Sequence, residues 1–216
     1  MTDTMTKAMC EDYGTNVCHI GTDEIGETVC MCDNARRARG TIKDSGNRTK
    51  FATGAVRDIQ RGKGRFDLMP LKAMGKLLWL HERSNEKSAV TTSDIVMDIY
   101  QFEQLGNFNY LMMAVNSYAK MTNKDIFALM LDVARHFENG ALKYGEHNWQ
   151  KGIPISRYID SALRHLMKDL AGETDEDHAA AFVWNCMCAA WTMEHLPAMD
   201  DYTLARETCA ASKIDV

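Results

Sequence analysis

Apolar positions recur at helical spacing over most of the chain beyond residue 70. Leu71, Met74, Leu77, Leu78 and His81 fall three and four apart, which predicts a helix with one apolar face. Pro70 suits the first turn of that helix, where its missing N–H is not needed. Residues 84–93 are polar and interrupt the pattern. Apolar stretches at 95–102 and 108–118 predict two short helices joined at Gly106. Asn123 then offers an N-cap for a long helix over 124–144, with Ile126, Met130, Val133, Phe137 and Ala141 on its buried side. Gly145 is placed to end it. After a loop at 146–153, Pro154 opens a helix over 155–170 whose inward face carries Ile159, Leu163, Leu166 and Leu170. Gly172 stops it. Thr174 is the expected cap of a last helix running through Ala180, Trp184 and Ala189 to about residue 195, closed by Pro197. No clear alternating strand is evident.

These elements predict an all-α helical bundle with short connections. Residues 1–50 lack any sustained period and are rich in Thr, Gly, Asp and Arg, so they read as a polar, irregular N-terminal arm. The expected division is therefore an arm at 1–50, a helical domain at 51–200 and a tail at 201–216. A length of 216 residues supports one well-buried domain of this kind. The net charge of −5 argues against a stable nucleic-acid complex or an anionic membrane as partner. The sequence shows no run long enough to span a membrane and no apolar signal core at residues 1–11, so a cytoplasmic location is expected.

Seven cysteines, an odd number in a reducing compartment, do not suit a disulfide framework. Cys186 and Cys188 lie in an apolar stretch and read as small buried hydrophobes. Cys10, Cys18, Cys30 and Cys32, with His19 beside them, offer enough ligands for Zn²⁺. A single residue separates Cys30 from Cys32, which is not the usual pair spacing. An arm with reduced thiols is the alternative.

Two polar blocks are not explained by packing. In the first, Gly62-Lys63-Gly64-Arg65 sets two cations among glycines, where a backbone can approach an anion closely. It lacks the spacing of a Walker A loop, and a charged surface loop is the alternative. The second begins with Glu138 at the edge of a buried helix face, where a carboxylate needs a cation or an ion pair such as one with Arg135. Lys143 and Tyr144 close that helix, and Trp149 follows as either a stacking surface for a base or an anchor onto the core. Asp160 and Arg164 share one helix face, and Ser161, His165 and Asp169 form an adjacent stripe. Glu173, Asp175, Glu176, Asp177 and His178 then crowd a helix start. So many carboxylates invite a divalent cation, although they also suit the positive end of a helix dipole.

The strings Thr-Gly-Ala-Val-Arg-Asp from residue 53, Gly-Lys-Gly-Arg-Phe-Asp-Leu-Met-Pro from 62, Gly-Ala-Leu-Lys-Tyr-Gly-Glu-His-Asn-Trp from 140, Tyr-Ile-Asp-Ser-Ala-Leu-Arg-His-Leu from 158 and Gly-Glu-Thr-Asp-Glu-Asp-His from 172 occur in this order. Together they resemble the bacteriophage dATP/dGTP diphosphohydrolase family, relatives of the MazG-like all-α NTP pyrophosphohydrolases. The resemblance covers about 51–72 and 130–195. It implies metal-dependent hydrolysis of a purine deoxynucleoside triphosphate to monophosphate and pyrophosphate in the host cytoplasm, by a homo-oligomer. It also implies Mg²⁺, with Mn²⁺ or Co²⁺ as substitutes, held by carboxylates of facing helices. The wider superfamily often uses E-x-x-E followed by E-x-x-D. Here Glu138 has no acid at 141 or 142, and histidines stand where acids are usual.

On this reading Glu138, His165 and Asp177 are the expected catalytic groups. Glu138, His165, Glu173, Asp175, Asp177 and His178 are the candidate metal ligands. Lys63, Arg65, Lys143 and Arg164 would neutralise the triphosphate, and Asp67, Tyr144, Trp149 and Asn185 complete the expected substrate contacts. Two other classes fit the same residues. One is a metal phosphohydrolase that releases phosphate or triphosphate, and the other is a non-enzymatic protein that binds nucleotides or a host factor.

Overall fold

The computed structural model describes residues 20–22, 28–30, 46–84 and 89–202. It divides into two compact units, Met1–Ile59 and Gln60–Val216. Among the described residues the first unit contains two antiparallel strand pairs. β1 (Ile20–Thr22) pairs with β2 (Thr28–Cys30), and β3 (Arg48–Lys50) pairs with β4 (Val56–Asp58), with Thr49 opposite Arg57. At three residues each, these strands are too short to leave an alternating pattern in the sequence. The zinc option at Cys10, Cys18, His19, Cys30 and Cys32 falls on side chains outside the described residues, as does the tail beyond residue 202.

The second unit is all-α, as expected. Among the described residues it has six helices: α1 (Leu71–Arg83), α2 (Thr92–Leu105), α3 (Asn109–Met121), α4 (Ile126–Tyr144), α5 (Ile155–Ala171) and α6 (His178–His195). Three of them, α2, α4 and α6, start at a side-chain cap. Thr91 opens α2 with a reciprocal capping box, accepting from the Asp94 N–H while Asp94 accepts from the Thr91 N–H. Asp125 caps α4 by accepting from the N–H groups of Phe127 and Ala128 at 2.7 and 3.2 Å. Asn123, the expected cap, instead adopts a left-handed conformation in the preceding turn. Similarly, Asp177 rather than Thr174 caps α6 through the Ala180 N–H at 2.9 Å. The acidic segment therefore lies before the helix, where its side chains can turn toward a neighbour. Leu163 is half-buried and Leu170 is exposed, so the inward face of α5 is narrower than expected.

α6 is the centre of the unit. Its sequence is apolar nearly all round, the mark of a helix surrounded by others, and 13 of its residues from His178 to Thr192 are buried. It packs against α5, α4, α3 and α1. Cys186 and Cys188 are fully enclosed there, and burial pushes both thiols up. α2 packs on α3 at the far side. No described helix is long and apolar enough to cross a membrane.

Candidate active site

The glycine turn before α1 carries out different chemistry from that expected of it. The Gly62 N–H donates to Glu138 Oε1 at 2.6 Å, and the Gly64 N–H donates to Glu138 Oε2 at 2.8 Å. Two backbone donors converging on one anion form a nest, and here a carboxylate of the same chain fills it. Glu138 is 7% exposed, so these bonds provide the partners that a buried charge requires. The Arg65 N–H bonds the Ala134 carbonyl at 2.9 Å and ties the turn to α4. A β-carbon at Gly64 would lie 3.0 Å from Ala134 Cβ and 3.2 Å from the α4 backbone, at a φ of +80°, so only glycine permits the approach. The Arg65 guanidinium grips Asp67 through two hydrogen bonds of 2.8 and 2.7 Å and Glu146 at 2.7 Å. The Arg65 hydrogen bond holds the Asp67 carboxyl below its ordinary value, against the opposing effect of burial. Arg65 and Asp67, expected to touch substrate, thus clamp the chain to the loop after α4. Arg135 pairs with Asp132, not with Glu138.

α4, α5, the loop between them and α6 line a solvent-open cavity of about 570 Å³. That size lies within the range of about 300–1,000 Å³ usual for small-ligand sites. Its α4 wall presents His136, Asn139, Gly140 and Lys143, which repeat at three and four residues. Tyr144 lies beside it, with the Lys143 ammonium 4.9 Å from the Tyr144 ring centre. Trp149, 6% exposed, meets Phe137 and Trp191 edge-on with centroids 5.6 and 5.0 Å away. It is a core anchor that also contributes to the cavity lining. Asn185, also in the lining, donates to the Ala181 carbonyl at 2.8 Å. His136 lies 5.6 Å from the Trp184 ring, and desolvation lowers its pKa despite the pull of Glu176 and Asp177.

At one edge of this cavity α5 meets the segment before α6. His165 Nδ1 stands 3.0 Å from Glu176 Oε1 and 3.1 Å from His178 Nδ1. His178 Nε2 lies 2.7 Å from Asp175 Oδ1. Desolvation lowers the His165 pKa, opposed by Glu176. The hydrogen bond from His178, then that from Lys168, lowers the Asp175 carboxyl. Two overlapping groups have donor atoms within 4.8 Å of one another: His165, Glu176 and His178, and Glu173, Asp175 and His178. In the second group Lys168 already meets Glu173 at 2.9 Å and Asp175 at 3.2 Å, so an ammonium balances the carboxylates. The imidazole nitrogens and carboxylate oxygens of the first group are ordinary ligands of a divalent metal.

Residues 117–202 match the family model described as dATP/dGTP diphosphohydrolase, N-terminal. Over this segment the chain is similar to that family. A dATP/dGTP diphosphohydrolase from Salmonella phage PMBT28 is 36% identical over 75 residues, covering 32% of this chain and 26% of the relative. The chain thus matches about a quarter of that relative's length. No solved structure matches.

The matched segment contains every cavity-lining residue except Leu68, together with the whole histidine–carboxylate corner. The glycine turn lies outside it. Of the expected site residues, the structure gathers His165, Glu173, Asp175 and His178 at the corner, and Lys143, Tyr144, Trp149 and Asn185 around the cavity. It does not bring the others there in the expected way. The Glu138 oxygens face the glycine nest, the Asp177 carboxylate caps α6, and Arg164 pairs with Asp160 at 2.8 Å on an exposed face. Lys63 belongs to the turn, and no residue of 62–65 lines the cavity. Sequence reasoning missed Glu146, His136, Asn139 and Asn148, and it left Glu176 out of the ligand set. The three-and-four spacing of 136, 139/140 and 143 was the available signal for the α4 wall.

Proposed function

We propose that the chain hydrolyses purine deoxynucleoside triphosphates, dATP or dGTP, to the monophosphate and pyrophosphate. The observation that carries this reading is one cavity in which aromatic walls and amide side chains border a histidine–carboxylate corner, inside the segment that matches the dATP/dGTP diphosphohydrolase model. In such a reaction a water oxygen bonds to the α-phosphorus, and the bond from that phosphorus to the α,β-bridging oxygen breaks. Pyrophosphate leaves with that oxygen, and the water proton passes to a base.

The amides of Asn139, Asn148 and Asn185 offer donors and acceptors for the polar edge of a purine, and Tyr144 and Trp184 offer ring surface. Lys143 supplies positive charge at the cavity wall for the phosphates. His136, kept neutral by desolvation, can accept a proton or donate a hydrogen bond to a phosphoryl oxygen. A divalent metal would be held by His165, Glu176 and His178, with Asp175 and Glu173 beside them. When bound it would supply Lewis acidity at a phosphoryl oxygen. Glu138 acts as a positioning residue through the glycine turn. Exposed Phe127 and Leu131, four residues apart on α4, support a homo-oligomer, operating in the host cytoplasm.

Incubating the protein with each deoxy- and ribonucleoside triphosphate, with and without divalent metals, tests the reading. Monophosphate and pyrophosphate from dATP or dGTP are expected. Release of inorganic phosphate or triphosphate would assign a different phosphohydrolase, and binding without turnover would leave a sequestering protein.

A further inference from the structure

The tautomer of His178 determines what the corner can bind. Its ring is 2% exposed, with Nε2 2.7 Å from Asp175 Oδ1. A proton on Nε2 makes that contact a charge-assisted hydrogen bond and leaves Nδ1 its lone pair. That Nδ1 lies 3.1 Å from His165 Nδ1 and 3.5 Å from Glu176 Oε1, and the third edge of the triangle, His165 Nδ1 to Glu176 Oε1, is 3.0 Å. Ligand atoms about 2.0–2.2 Å from one metal in tetrahedral or octahedral geometry stand about 2.8–3.6 Å apart. The three edges fall in that range, so the donor atoms already form one face of a coordination shell. Two nitrogens and one oxygen suit ions that favour imidazole, whereas Mg²⁺ prefers an all-oxygen shell and retains its waters.

We propose that His165 Nδ1, His178 Nδ1 and Glu176 Oε1 form a metal face selective for Zn²⁺ and Co²⁺ over Mg²⁺, with Asp175 as the outer partner that orients His178. The face borders the cavity assigned above to the nucleotide, so the inference rests on that reading for its purpose but not for its chemistry. Asp175 in turn is held by Lys168 at 3.2 Å, which fixes the carboxylate that fixes the ring.

The test is a Co²⁺ titration of the metal-stripped full chain, followed by ligand-field absorption and by proton NMR for a paramagnetically shifted, exchangeable imidazole N–H. The expected result is one Co²⁺ whose absorption lacks thiolate charge-transfer bands, displaced by Zn²⁺ but not by an equal concentration of Mg²⁺. His165→Gln and Glu176→Gln should each weaken Co²⁺ binding by about tenfold or more, and Asp175→Asn by about 10–100-fold with loss of the shifted N–H signal. Melting of the metal-free variants checks that they are folded, and Glu176→Gln, at an exposed position, keeps the test decisive if His165→Gln does not fold. Equal Co²⁺ affinity in the wild type and Glu176→Gln, or displacement by equimolar Mg²⁺, overturns the proposal. Selective Co²⁺ binding with no turnover of any triphosphate sinks the hydrolase reading alone. Turnover with Mg²⁺ and no histidine-dependent binding sinks the metal face alone.

Discussion

At the scale of single residues, the decisive pair is Glu138 and Gly64. The carboxylate accepts from two backbone N–H groups in a buried setting, and a hydrogen bond to a charged group contributes about 1.5–3 kcal/mol. In Glu138→Gln one carboxylate oxygen becomes an amide NH₂, which faces a donor and leaves that N–H unsatisfied at about 1–3 kcal/mol. Lower resistance to urea, with unchanged Co²⁺ affinity, is therefore expected. Full stability together with lost metal affinity would make Glu138 a ligand instead. Gly64→Ala attacks the same junction from the other side. It forces a side chain into the left-handed region, at about 1–3 kcal/mol, and drives Cβ against Ala134. The urea midpoint should fall again. If the two changes are combined, the losses should not add, because both undo one docked turn.

At the scale of elements, α2 and α3 are joined across a half-buried carboxylate. Asp98 receives a 3.5 Å hydrogen bond from the Ser117 hydroxyl. Burial, only partly offset by that bond, pushes the carboxyl up to about 6 from an ordinary 3.8, with Asp94 adding to the rise. The folded state then holds the proton more tightly than the unfolded chain does, so this group makes stability fall as pH rises from about 4 to about 6. Asp98→Asn lacks that titration. Relative to wild type it should gain stability across this window, by an amount on the order of 1 kcal/mol after solvent screening, read as melting temperature against pH. A difference that is flat in pH would remove Asp98 as the source. The elements also show what could be read from the sequence. Helix existence followed from three-and-four spacing, because α1, α4 and α5 each bury one face. Helix starts did not, because Asp125 and Asp177 competed with Asn123 and Thr174 for the same role, and only backbone geometry decides among neighbouring cap formers. Glycine flanking Lys63 indicated an anion nest, but not that the anion would come from α4. Contact between residues 74 and 76 positions apart leaves no local signal.

At the scale of the whole molecule, stability and cavity space compete at Gly140. A glycine inside a helix costs about 0.8–1.0 kcal/mol relative to alanine, and Gly140 sits in the interior of α4. Its φ is not in the left-handed region, and a β-carbon there would meet nothing within 4 Å, so neither backbone strain nor crowding requires glycine. What lies beside it is the cavity. Gly140→Leu should therefore raise the melting temperature of the ligand-free protein, by about 2–4 °C per kcal/mol gained for a chain of this size. The leucine side chain should at the same time occupy part of the 570 Å³ that a nucleotide needs. In the wild type, dATP or dGTP at a hundred times its dissociation constant should add about 2.7 kcal/mol of stability. In Gly140→Leu that increment should shrink or vanish, while Co²⁺ binding at the corner persists because the metal face lies on α5, the segment before α6 and the first residue of α6, not on α4. A variant that is more stable and still fully stabilised by the nucleotide would show that the triphosphate binds elsewhere, and the cavity would lose its assigned role.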